Sequence, residues 1–98
     1  MAIYYVMIEG TPKETNPESN DTQGAYIDVR VKTESSGDAV QKAKEYIDLE
    51  EWNVIRIEES KTVNREDYID DPELLECYDE ACEKGLSAVF YTWDSEEE

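Results

Sequence analysis

The chemistry that this 98-residue sequence offers is almost all carboxylate. Between Glu66 and Glu83 (EDYIDDPELLECYDEACE) stand nine acids and no base: Glu66, Asp67, Asp70, Asp71, Glu73, Glu76, Asp79, Glu80 and Glu83. On a helix, Glu73, Glu76, Glu80 and Glu83 fall at steps of three, four and three, forming one ridge roughly 15 Å long. Like charges so spaced cost roughly 0.2–0.5 kcal/mol a pair, so helix stability does not account for the ridge. Carboxylates roughly 5–6 Å apart approach the spacing of phosphates along a nucleic-acid strand. The window is therefore the expected contact for a basic protein surface, such as that of a nucleic-acid-binding protein or nuclease, with the carboxylates mimicking its nucleic acid.

Other chemistries find little support. There is no histidine to serve as a base near neutral pH. No P-loop, GxSxG, GxGxxG, HExxH or CxxC pattern occurs, so neither an enzyme nor a cofactor is expected. Cys77 and Cys82 are the only cysteines. On one helix their Cα atoms stand roughly 8 Å apart, too far for a disulfide. The surrounding acids raise a thiol's pKa and blunt it as a nucleophile. Two thiols without histidine do not complete a zinc site, and the acidic window lacks the D-x-D-x-D-G pattern of a calcium loop, so no metal is expected. The absence of a disulfide framework suits a reducing, cytoplasmic setting.

Charge and hydropathy close off further classes. With 26 acids against nine bases the formal charge is −17, and a surface so negative repels nucleic-acid phosphates and anionic membranes alike. The longest apolar run, Ile3–Ile8, is far short of the roughly 20 residues that span a bilayer. No basic stretch precedes a long apolar one, so no secretory leader is expected.

The acids need elements to hold them, and the sequence predicts one domain over residues 1–98. Ala2–Glu9 is apolar on both faces and reads as a central strand. Gly10–Gly24 carries two prolines and two glycines and reads as a mobile loop. Tyr26–Lys32 alternates, with Ile27, Val29 and Val31 inward and Asp28 and Arg30 outward. Ser35 followed by Asp38 starts a helix carrying Ala39, Val40, Ala43, Tyr46 and Ile47 inward. Trp52–Glu58 is a third strand. Asp71-Pro72 opens a second helix, with Leu74, Leu75, Tyr78, Ala81 and Cys82 inward and Gly85 as its left-handed stop. Ala88–Trp93 is a fourth strand, apolar on both faces, and 94–98 is a disordered acidic tail.

The expected fold is α+β: a two-layer α/β sandwich with a four-stranded mixed sheet in the sequence order β1-β2-α1-β3-α2-β4. Its architecture is similar to ferredoxin-like domains. The spatial order is expected to be 2-1-4-3, with β2, β3 and β4 parallel, β1 opposed and both helices on one face. Such a sheet leaves its second face bare, and Tyr4, Val6, Ile8, Val89, Tyr91 and Trp93 are expected to line it as a homodimer seam or partner face. Two functions follow from two features. A non-catalytic acidic binding module would use the carboxylate ridge, in composition similar to phage inhibitors and immunity proteins. A structural homo-oligomer would use the bare face, and its acids would serve solubility alone.

Overall fold

The computed structural model describes residues 1–94. Strands β1 (Ala2–Pro12) and β2 (Thr22–Thr33), helix α1 (Ser36–Leu49), strand β3 (Trp52–Val63), helix α2 (Pro72–Lys84) and strand β4 (Leu86–Asp94) follow in turn. Short 3-10 turns occupy Pro17–Asn20 and Arg65–Tyr68. The class is α+β, a four-stranded sheet with two helices, as the hydrophobic periodicity predicts. Apart from Asp94, where β4 ends, the acidic tail lies outside the described residues.

Sheet order and direction differ from expectation. The order is β3-β1-β2-β4, and every neighbouring pair is antiparallel. β2 and β3 do run the same way, each opposed to β1, but β4 opposes β2. The centre is β1 and β2, while β4 forms an edge. The cause is the second face of β2, which alternation assigns to solvent. Arg30 is 2% exposed and Asp28 9% exposed, so β2 is buried on both sides despite its charges.

The helices cover opposite faces, so the two-layer expectation gives way to three layers. Val6 and Ile8 of β1 pair with Val29 and Ile27 of β2, and these residues pack with Ala39, Ala43 and Ile47 of α1. Ile3, of opposite parity on β1, packs instead with Val63 and with Ala81 of α2. Period-two alternation makes these two different sides of the sheet.

Local signals act where they were read. Ser35 Oγ accepts from Asp38 N at 3.2 Å and caps α1. Asp71 Oδ1 accepts from Leu74 N at 3.2 Å and caps α2 ahead of Pro72. Gly85 ends α2 at φ 97°, a conformation costly for any residue with a Cβ.

The β1–β2 connection is shorter than its polar composition suggests, because both strands run into it. Its tip is tied to the turn between α1 and β3: Lys13 N and Asn16 Nδ2 donate to the Glu51 carbonyl at 2.9 and 3.1 Å. Asn16 Oδ1 accepts from Glu18 N at 2.9 Å. Glu51 itself has φ 70°, a left-handed position that glycine or asparagine fills more cheaply.

Candidate functional site

Helix α2, the 3-10 turn before it and the link between them carry all nine carboxylates of the acidic window, and all nine are exposed. The helix buries Ala81 and half-buries Leu74, Leu75, Tyr78 and Cys82, which leaves its acids no inward direction. Cys77 is also half-buried, and both thiols are free.

Four of the nine have structural work. Asp67 Oδ2 accepts from Asn64 N at 2.8 Å, and Asp71 caps α2. Asp79 takes two bonds from the Arg65 guanidinium, at 3.0 and 3.3 Å, and these hold its pKa below the ordinary aspartate value. Glu80 accepts from Ser87 Oγ at 3.0 Å and from Lys84 at 3.5 Å. The carboxylates of Glu66, Asp70, Glu73, Glu76 and Glu83 make no hydrogen bond or ion pair with a described residue. Two shallow depressions follow the outer side of α2. Glu73 and Glu76 border one, of about 330 Å³, while Glu76, Glu80 and Glu83 border the other, of about 400 Å³. The ridge read from spacing is therefore present as a surface.

The six residues expected to form one bare face do not share a face. Tyr4, Val6 and Ile8 lie on the α1 side, where Val6 and Ile8 are wholly buried. Val89, Tyr91 and Trp93 lie on the α2 side, paired with Asp28, Tyr26 and Gly24. The error follows from placing β4 beside β1; with β2 between them and the helices on opposite sides, no such continuous seam forms. What remains open is the part of the α2 side beyond the helix. There Trp93 lies over Gly24, where an added Cβ would stand 2.5 Å from its Cζ2. The Trp93 and Tyr26 rings are 5.1 Å apart, and Tyr26 and Tyr91 are 38% and 50% exposed.

Two features escaped the sequence reading. One is a buried polar cluster under α2. The Arg30 guanidinium lies 5.1 Å from the Tyr5 ring centroid and 4.8 Å from that of Tyr68, and its Nε donates to Tyr68 Oη at 3.3 Å. Tyr5 Oη donates to Asp28 Oδ1 at 3.1 Å. Burial raises the pKa of Asp28, although the Tyr5 bond and the Arg30 charge oppose it. Burial and the neighbouring Asp28 also raise Tyr5. An aspartic acid poised this way suits proton transfer, but none of the three clefts described here is lined by Asp28 or Arg30. As placed, the cluster seats a cation between two rings and joins the Arg65–Tyr68 turn before α2 to the sheet.

The other feature is a cleft of about 580 Å³ on the α1 side, between the Pro17–Asn20 turn, the end of α1 and β4. Trp52 and Phe90 give it an apolar floor, and the exposed Leu49 stands at its rim with the acids Glu18, Glu50 and Glu51. The Trp52 and Phe90 rings stand 5.4 Å apart. Its walls come from three segments distant in sequence, so no motif could have announced it.

Comparison with known proteins returns no match, whether to a family model, a curated protein or a solved structure. Among the described residues no group of three or more His, Cys, Asp or Glu could hold a metal ion, and no helix is long and apolar enough to cross a membrane.

Proposed function

We propose that this chain is a non-catalytic protein-binding module whose α2 ridge meets a cationic surface of the kind a nucleic-acid-binding protein or nuclease presents to phosphates. One observation supports the reading above the others. The carboxylates of Glu66, Asp70, Glu73, Glu76 and Glu83 are exposed and unpaired within one stretch of the chain, while their neighbours Asp67, Asp71, Asp79 and Glu80 are committed to holding the fold. Charges left without internal partners keep their full potential for an external one, and a one-sign surface speeds encounter with its opposite.

The test is capture of a partner from the native host's lysate by tagged chain at low salt. Binding by charge mimicry weakens steeply as salt rises and is competed by duplex DNA or RNA. The triple reversal Glu73→Lys, Glu76→Lys, Glu83→Lys spares every acid with a structural bond and should abolish capture. A partner still held by the reversed protein, or indifferent to nucleic acid, would reject the mechanism.

A further inference from the structure

The sheet has two edges, and they are built differently. The β3 edge carries Arg56, Glu58, Glu59 and Lys61, and its pairing with β1 is broken by two register shifts. Charges and bulges of this sort keep an edge from accepting another strand. The β4 edge has neither device next to β2 over most of its length. From Leu86 to Trp93 (LSAVFYTW) there is no charge and no proline, and the only register shift lies at Thr22/Gly24. An edge with unpaired amides and carbonyls and no such guard is a template for strand addition.

The surroundings of this edge specify what it would accept. On the α1 side Phe90 and Thr92 border the 580 Å³ cleft with its floor of Trp52 and Phe90. The acids at its rim, Glu18, Glu50 and Glu51, are exposed, and Lys13, the nearby cation, is already paired with Asp48. The rim is held in place by the bonds from Lys13 and Asn16 to the Glu51 carbonyl. On the α2 side the same strand presents Tyr91 and Trp93. An apolar floor under an acidic rim suits a side chain with an aliphatic stem and a cationic head. Successive side chains of an added strand point to opposite faces, so such residues would alternate with apolar ones.

We propose that β4 is a docking edge for an extended segment of a basic protein. The segment pairs with β4 as a fifth strand, sets a lysine or arginine in the cleft between Glu18 and Glu50, and lays apolar side chains on Tyr91 and Trp93. This site is separate from the α2 ridge and goes beyond the function proposed above. The net charge of −17 favours this occupant over a second copy of the chain.

Three end-capped peptides test it by fluorescence anisotropy: one alternating valine with lysine, one with glutamate in place of lysine, and the lysine peptide N-methylated at alternate backbone nitrogens. The lysine peptide should bind about tenfold or more tightly than either of the others, since one control reverses the charge and the other blocks strand pairing at constant charge. Glu18→Gln with Glu50→Gln should weaken the lysine peptide by about tenfold, and Glu73→Gln with Glu76→Gln by no more than about twofold. Both pairs are exposed, and an unchanged thermal midpoint certifies their folding. Equal binding of the N-methylated peptide, or failure of the lysine peptide to bind, would overturn the proposal. So would a loss confined to the α2 pair, which would leave the acidic-ridge reading standing. Sedimentation showing a dimer that Thr92→Lys dissolves, and that the peptide does not displace, would give the edge to a second copy instead.

Discussion

The two faces of this sheet do one job by different physics. Toward α1, Val6, Ile8, Ile27, Val29, Ala39, Ala43 and Ile47 are all fully buried, and no charged side chain lies among them. Toward α2, the fully buried apolar set shrinks to Ile3, Val63 and Ala81, and beside the half-buried Leu74, Leu75 and Cys82 the layer holds Arg30, Asp28 and the rings of Tyr5, Tyr68 and Tyr78. The first face draws stability from apolar area removed from water. The second covers a cation with aromatic rings, and Nη1 of Arg30 is buried without a protein hydrogen-bond partner. Helix α1 is thus held by a continuous apolar stripe, whereas α2 fully buries only Ala81 and keeps its carboxylates outward. The less tightly packed face is also the one that carries the unpaired acids.

The contrast can be broken most directly by truncating one inward residue on each helix. Ile47→Ala empties a fully buried site and should cost about 3–4 kcal/mol, whereas Leu75→Ala on half-buried ground should cost about 1 kcal/mol. Urea unfolding measures both, and equal losses would erase the difference claimed for the faces. Next in size is Arg30. Arg30→Ala removes the group packed between Tyr5 and Tyr68 and strips Asp28 of its nearby cation, at about 2–3 kcal/mol. Arg30→Met refills the slot without the desolvation penalty and should stay within about 1 kcal/mol of the parent. If methionine costs as much as alanine, the guanidinium's charge holds the face together, and packing is secondary.

The same contrast explains what could be read in advance. Caps are local, so Ser35, Asp71 and Gly85 could be assigned from their immediate neighbours. The inward set Ile27, Val29 and Val31 was legible for a similar reason, because alternation within one strand is a local pattern. Asp28 and Arg30 were misread because their cover is remote: Tyr68 lies 38 positions from Arg30. Strand order failed at the same point. Apolar residues on both sides of β4 looked like central placement, but Leu86, Ala88 and Phe90 pack on the α1 core while Tyr91 stays half exposed at an edge. The exposed acidic ridge followed from helical spacing alone. The cleft beside β4 did not, since Glu18, Leu49, Trp52 and Phe90 meet only after the whole sheet has formed.

Two glycines sharpen the comparison at a smaller scale, one on each side. A Cβ at Gly10 would stand 2.8 Å from the Asn53 carbonyl oxygen, a backbone atom that cannot step aside. Gly10→Ala should therefore cost about 1–3 kcal/mol in thermal or urea unfolding. At Gly24 the nearest obstacle is the Trp93 ring, which can swing toward solvent at the edge of the open side, and the Gly10 carbonyl oxygen stands farther off at 3.0 Å. Gly24→Ala should cost less, about 1 kcal/mol, and shift Trp93 fluorescence toward the red. An unshifted spectrum would mean that the ring is as firmly held as anything facing α1.

The smallest effect separates the buried acid of the α2 side from an exposed one on its outer surface. Burial raises the pKa of Asp28 in the folded chain above its ordinary value of 3.8. In the window just above that value the folded state keeps a proton that the unfolded state has lost, so this group's contribution to stability falls as pH rises. The Arg65 bonds lower the pKa of Asp79, which reverses the sign: its contribution is present above the ordinary aspartate range and is lost as pH falls through the depressed value. Asp28→Asn and Asp79→Asn should thus change the slope of unfolding free energy against pH in opposite directions between about pH 3 and 6. Relative to the asparagine variant, the parent gains stability toward acid at position 28 and loses it at position 79. Parallel slopes would show that Asp28 is solvated much as Asp79 is, and that water reaches the sheet beneath α2.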